Sequence, residues 1–118
     1  MAKITPEIKK VIEGNIVAFA TANKKGEPHV IAVGDVKVVA PDTLLVGDIY
    51  MEKSLNNLKD NNTVSLVVWD KDYLGFTLFG RVEYFSRGQW LDKAKEIHQG
   101  YSVKGAILVK ILEIAKLK

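Results

Sequence analysis

Three short apolar runs follow one another between residues 16 and 46, and only turn-forming sequences separate them. Each run is too short and too rich in β-branched residues for a helix, so strands are favoured. The connections Asn23–Pro28 and Pro41–Asp42 have the composition of tight turns, which predicts antiparallel pairing. The predicted strands are Ile16–Ala22, His29–Val39 with a bulge or bend at Gly34, and Thr43–Val46.

Helical spacing interrupts the strands at three places. The first predicted helix runs from the N-cap Thr5 to Gly14, because a proline follows the cap and the glycine can end the helix. The second begins near Met51 and ends at Asn61–Asn62, and its apolar residues are spaced by four and three. The third is the amphipathic segment Gly88–Gln99.

Strands at Thr63–Trp69, Phe76–Phe85 and Gly105–Ile114 complete a set of six. The helices come one at a time and do not alternate strictly with strands, which argues against a doubly wound parallel sheet. Composition shifts and linkers are absent. We therefore predict one domain over residues 1–118, a mostly-β antiparallel barrel with flanking helices.

The composition excludes several kinds of site. The chain has no cysteine, which removes disulfides, thiolate metal sites, iron–sulfur clusters and cysteine nucleophiles. Its two histidines, His29 and His98, leave little material for a metal site, and each alone is more often a surface or structural residue than a catalyst. No apolar run has the length of a membrane span, and the N-terminus lacks a signal-peptide core. We therefore expect a cytoplasmic protein.

The net charge of +3 supports solubility more than nucleic-acid binding. Only two of the 17 basic residues are arginines, and the lysines are spread among 14 acids. A barrel that binds single-stranded nucleic acid, like an OB-fold, is one alternative, and Phe76, Phe79 and Arg81 are its faint signature. Phe76 and Phe79 are spaced to point to opposite faces of a strand, which argues against a stacking platform.

One local pattern points to a ligand. A strand passes through a short loop into a helix whose first turn carries Lys53 and Ser54. Unpaired N–H groups and the positive end of the helix dipole favour an anion there, and a lysine and a hydroxyl add a cation and a donor. The pattern is that of a phosphate-monoester site. The alternative is that Ser54 is only a helix cap and Lys53 a solvated surface residue.

Five segments share an order and a spacing with a known family. They are Val17–Ala22, Lys25–Val30, Lys53–Leu58, Thr63–Trp69 and Gly80–Glu83, and the most specific is Lys53–Leu58, which follows a strand. Together they resemble the pyridoxamine 5'-phosphate oxidase-like family of FMN-binding split barrels, and most closely its short FMN-binding members. The resemblance covers residues 7 to 114.

The resemblance implies a six-stranded split barrel, a homodimer, and FMN bound at the subunit interface. Lys53 and Ser54 match the family positions that hold the FMN phosphate, and Asn57 matches an asparagine that either touches FMN or braces the loop. Relatives hold the flavin ring largely by main-chain groups and often add an aromatic residue from the other subunit. The matching positions here are Val30, Ile31, Ala32, Val33, Val46, Gly47, Asp48 and the aromatic residue Tyr101, which could equally pack on its own helix.

The functional expectation is an FMN-binding flavoprotein. It would act as an electron carrier for a partner protein or as a small-molecule reductase or oxidase. The C-terminal segment has no arginine, which argues against oxidation of vitamin B6 itself. A deazaflavin or haem in the same fold is the alternative ligand. The apolar segment Ile107–Ile114 could serve the core or a dimer face, and we predict a homodimer because a lone chain would expose it.

Overall fold

A computed structural model describes residues 2–117 and contains three helices and seven strands in that range. Within it, no helix is long and apolar enough to cross a membrane. The elements are α1 (Pro6–Gly14), β1 (Val17–Ala22), β2 (Pro28–Val33), β3 (Lys37–Ala40), β4 (Thr43–Asp48), α2 (Glu52–Asp60), β5 (Thr63–Trp69), β6 (Gly75–Phe85), α3 (Gln89–Ile97) and β7 (Gly105–Lys116).

The strands form one antiparallel sheet in the order β2-β1-β5-β6-β7-β4-β3. The strands β2 and β3 are consecutive in the chain yet lie at opposite edges of this sheet. Only residues 34–36 join them, so the two edges must come close together there. The sheet therefore curls into a barrel with an open seam, which confirms the predicted mostly-β split barrel.

The predicted count of six strands is wrong by one. The expected single strand His29–Val39 divides because Asp35 takes a left-handed backbone conformation with φ at 50°. The stretch before this break pairs with β1, and the stretch after it pairs with β4. Gly34 thus marks a change of partner rather than a bulge within one strand.

Helix α1 closes the barrel against β3, β5 and β6. Its N-cap is Thr5, as predicted, and Thr5 Oγ1 accepts a hydrogen bond from the Ile8 amide at 3.3 Å. Ile8, Val11 and Ile12 enter the main core, which alternate strand residues such as Phe19 fill from the sheet. A smaller core lies between α3 and the strands β4 and β7.

The apolar residues of β7 serve this chain's own cores. Ile107, Val109 and Ile111 are buried in the main core, and Leu108 packs under α3. The segment Ile107–Ile114 therefore does not present two exposed apolar faces, and the reason given for a dimer at this strand is wrong. Leu112 is the one exposed apolar side chain of this segment, at 38%, and larger apolar exposure lies at Ile16 and Val30.

Candidate functional site

The open seam of the barrel forms a cleft of about 340 Å³, here called the main cleft. Its wall combines the end of β2, the end of β4, the loop that follows β4, and the turn that follows α3. Most of the lining is apolar or glycine, which suits a flat aromatic ligand. The lining residues are Ile16, Ile31, Ala32, Val33, Gly34, Asp35, Gly47, Ile49, Tyr50, Met51, His98 and Tyr101.

Main-chain groups are available along this seam. Strand β2 pairs only with β1, so its other edge is free. Strand β3 pairs with β4 only as far as Leu45, so residues 46–48 of β4 extend past it. Free strand edges present unpaired N–H and C=O groups. The cleft can therefore hold polar ring atoms by backbone hydrogen bonds that need no particular side chain.

A second cleft of about 340 Å³ adjoins the first and shares Tyr50 and Met51 with it. Unlike the main cleft, it is lined by basic side chains, namely Lys53, Lys104 and His29. It lies at the first turn of α2, which begins at Glu52. The remaining lining residues are Glu52 and Ser54.

Ser54 is the central feature of the second cleft. Its side chain is only 1% exposed, and its Oγ is a buried polar atom without a hydrogen-bond partner among the described residues. The N-cap of α2 is Met51, which makes no side-chain capping bond, so Ser54 is the third helical residue and not a cap. A buried hydroxyl without a partner costs free energy unless a ligand satisfies it. The phosphate site predicted from Lys53 and Ser54 therefore has a suitable donor in place.

Asn57 lies one turn further along the same buried face of the helix as Ser54. Its Nδ2 donates to Thr21 Oγ1 on β1 at 3.0 Å, and both side chains are buried. It lines neither the main nor the second cleft. The structure therefore favours the bracing role for Asn57, since this bond fixes α2 on the sheet.

Asp48 is buried behind the cleft wall rather than in the cleft. Its Oδ2 accepts a hydrogen bond from Tyr84 Oη at 2.8 Å, and its backbone oxygen accepts one from the Lys104 amide at 2.9 Å. Burial of the phenol raises the pKa of Tyr84 to about 12, together with the hydrogen bond and the charge of Asp48. This arrangement ties the end of β4 to β6 and β7.

The eleven predicted site residues divide into three groups. The main cleft contains Ile31, Ala32, Val33, Gly47 and Tyr101, and the second cleft contains Lys53 and Ser54. Four residues line neither cleft: Asn57 and Asp48 as described, Val46 in the core, and Val30 on the outer face of β2. Tyr101 is mostly exposed and lines the main cleft of its own chain.

Sequence reasoning missed His98, His29 and Lys104. His98 is buried, and its ring lies against Gly47, where an added Cβ would come within 2.6 Å of the imidazole Cδ2. One sequence signal was available, since His98 stands at the end of an amphipathic helix, three residues before Tyr101. Lys104 and His29 have no local signal, because only the fold brings them to the start of α2.

Comparison with known proteins gives one family. A family model described as pyridoxamine 5'-phosphate oxidase matches residues 4–115. The uncharacterized protein MJ0282 of Methanocaldococcus jannaschii is 34% identical over 124 residues, which span all of this chain and 83% of that protein.

Solved structures share the fold at lower identity. HupZ from Group A Streptococcus has a TM-score of 0.88 at 23% identity and covers 97% of this chain and 94% of its own. An FMN-binding protein from Syntrophomonas wolfei has a TM-score of 0.84 at 17% identity, with coverages of 93% and 83%. An F420 reductase has the same fold, with a TM-score of 0.71 at 21% identity, and the match covers 94% of this chain and 98% of that one. HutZ, the heme storage protein of Vibrio cholerae, also has this fold, with a TM-score of 0.69 at 16% identity, and the match covers 97% of this chain and 94% of that one.

Proposed function

Because the chain belongs to the pyridoxamine 5'-phosphate oxidase family, we propose that it is a flavoprotein that binds FMN. In this proposal the flavin ring occupies the main cleft and the phosphate occupies the second cleft. The two clefts adjoin at Tyr50 and Met51, so one ligand with an aromatic ring and a phosphate tail can reach both.

The observation that carries the proposal is the unpartnered Ser54 Oγ in a basic cleft. The phosphate would accept a hydrogen bond from this hydroxyl and from amides of the first turn of α2, which have no partners within the helix. Lys53 and Lys104 would add positive charge at the rim, because both are exposed and line the cleft. A phosphate monoester matches this set of donors because it is an anion with several acceptor oxygens. A ligand that ends in a neutral hydroxyl would gain nothing from the positive charge of the lysines.

The main cleft supplies a largely apolar surface and backbone hydrogen-bond groups for the ring. FMN, when bound, supplies reversible redox chemistry that no side chain of the cleft offers. The chain's own residues bind the ring, orient it against β2 and β4, and exclude water from one side. This supports a role as an electron carrier or as a reductase or oxidase of a small molecule, and we place no acid–base residue in it.

We further propose a homodimer with the flavin at the interface. Ile16 and Val30 are 63% and 62% exposed, and Ala32 is exposed between them on the outer face next to the main cleft. Ile16 and Ala32 also line this cleft, so a second copy seated here would cover the apolar patch and close the cleft. The partner is a second copy because the same patch on each chain makes a self-complementary interface.

Haem is the second candidate ligand, and one observation favours it. The buried imidazole of His98 faces the main cleft, and imidazole is a common axial ligand of haem iron. HutZ is described as a heme storage protein and has this fold. A deazaflavin is the third candidate, since the F420 reductase shares the fold and the lysines of the second cleft suit an anionic tail.

The absorption spectrum of the purified protein, and of the apoprotein mixed with each candidate, tests this proposal. FMN is expected to give flavin bands in the near-ultraviolet and blue and to be released intact on denaturation. Saturable binding of haem with a Soret band, or of a deazaflavin, with no binding of FMN would contradict the proposal and select the alternative.

A further inference from the structure

The main cleft contains an imidazole that makes no hydrogen bond within the part of the chain that the structure describes. His98 is 7% exposed and lines the cleft. Neither of its ring nitrogens hydrogen-bonds to another protein atom among residues 2–117. Ser54 Oγ is the only fully buried polar side-chain atom without a partner among these residues, so the His98 ring nitrogens are open to the cleft. A free imidazole nitrogen at the surface of a cleft can hydrogen-bond to a polar atom of a ligand.

The position of this imidazole is fixed from two sides. Its Cδ2–Nε2 edge lies on Gly47, where an added Cβ would come within 2.7 Å of Nε2. Its backbone is held at the end of α3, since its amide donates to the Ala94 oxygen at 3.0 Å and its oxygen accepts from the Tyr101 amide at 3.1 Å. The ring is therefore placed before a ligand arrives, which lowers the entropic cost of a hydrogen bond to it.

The charge of the lining distinguishes His98 further. The other ionisable side chains that line the main cleft are Asp35, Tyr50 and Tyr101, and none of them can carry a positive charge. An imidazole can donate a hydrogen bond in either charge state. Within this lining it is the group suited to stabilise negative charge on the ligand.

We propose that His98 hydrogen-bonds the flavin ring and favours its reduced, anionic form over its oxidised form, an inference that rests on the proposed function. Two electrons and one proton convert the neutral oxidised ring into the reduced anion. A hydrogen bond to an anion is roughly twice as strong as one to a neutral acceptor, and groups near the ring nitrogens tune flavin electronics. His98 is thus a specificity-determining residue for the redox state of the ligand.

The test compares oxidised FMN with dithionite-reduced FMN, titrated anaerobically into the wild type and His98→Gln. Reduced FMN is expected to bind the wild type more tightly than it binds His98→Gln. The dissociation constant of oxidised FMN divided by that of reduced FMN therefore falls about tenfold in the variant. Tenfold corresponds to a decrease in midpoint potential of about 30 mV for two electrons. His29→Gln is the matched control. It replaces the other histidine, which lines the second cleft, and is expected to change both dissociation constants by the same factor.

An unchanged ratio in folded His98→Gln overturns the inference while FMN binding remains intact. Absence of FMN binding to the wild type overturns the proposed function instead, and the inference with it. Nitrogen-15 resonances of the wild-type histidines give a second test that needs no variant. The ring signals of His98 are expected to differ between the oxidised and reduced complexes, and identical signals in both would also overturn the inference.

Discussion

Asn57 Nδ2 on α2 donates to Thr21 Oγ1 on β1 at 3.0 Å, and this buried bond connects the helix that carries Lys53 and Ser54 to the barrel. The two residues are 36 positions apart in sequence, so the bond forms only when the helix docks on the sheet. The position of the basic cleft thus depends on a bond outside the cleft.

The first prediction concerns this bond. Asn57→Ala leaves the buried Thr21 hydroxyl without its partner, so the free energy of unfolding is expected to fall by about 1–3 kcal/mol. The double variant Asn57→Ala with Thr21→Val removes both partners and is expected to be more stable than the sum of the single effects implies. Urea denaturation measures both, with the exposed neighbour variant Asn56→Ala as the control. Additive effects of the two single changes would contradict the bond.

The second prediction separates stability from binding at Ser54. Since the buried Ser54 Oγ has no partner among residues 2–117, Ser54→Ala removes an unsatisfied hydroxyl and no capping bond. The apoprotein is therefore expected to be as stable as the wild type or more stable by up to about 2 kcal/mol, while FMN binding weakens. Thermal denaturation with and without FMN measures the two effects, and Ser65→Ala, at an exposed residue of β5, is the control. A large loss of apoprotein stability would mean that Ser54 is structural.

The third prediction uses pH. The pKa of Tyr84 is raised from 10.0 to about 12, so its folded form keeps the proton longer than its unfolded form. The resulting stability is fully present below pH 10 and is lost as the pH rises through about 12. Denaturation measured across this range is expected to show a steeper loss for the wild type than for Tyr84→Phe. Parallel curves for the two proteins would contradict the link between Tyr84 and Asp48.

At neutral pH, Tyr84→Phe has a separate effect. Asp48 is 1% exposed and would lose its side-chain donor, so we expect a loss of about 1.5–3 kcal/mol in the free energy of unfolding. Tyr73→Phe, at an exposed turn residue, is the control and is expected to change nothing.

Most elements of this fold were predictable from local pattern. The cap at Thr5, the three helices and five of the strands follow from spacing, caps and turns. The division of the predicted strand His29–Val39 into two strands was not predictable from local pattern. The change of strand partner at Asp35 depends on where both edges of the sheet lie. A glycine followed by an aspartate predicts a bend, but it does not say that the two halves belong to opposite edges.

The site was predictable only in part, for a related reason. Lys53 and Ser54 have a local signature at a helix start, so sequence reasoning located them. Gly47 faces the main cleft, whereas its neighbours Val46 and Asp48 do not line it, because alternate strand residues point to opposite sides. His98 reaches the cleft because α3 packs on β4, and the amphipathic pattern of α3 does not specify which strand it packs on.

The fourth prediction concerns assembly. We expect the wild type to sediment as a dimer of the 13.1 kDa chain at micromolar concentration. Val30→Glu places a carboxylate in the proposed interface, so it is expected to shift the protein toward the monomer and to weaken FMN binding in parallel. Asn62→Glu, at an exposed residue that lines neither cleft, adds the same single negative charge and is the control. A wild type that sediments as a monomer would contradict the interfacial flavin.

The central claim is that the second cleft holds a phosphate, and the most direct test is the affinity of the apoprotein for FMN compared with riboflavin. The account predicts that FMN binds at least tenfold more tightly, since charge-assisted hydrogen bonds contribute about 1.5–3 kcal/mol. Lys53→Ala is expected to reduce this preference and its salt dependence, whereas Lys59→Ala, at the far end of α2, leaves both unchanged. Equal affinities of the wild type for FMN and riboflavin would contradict the account.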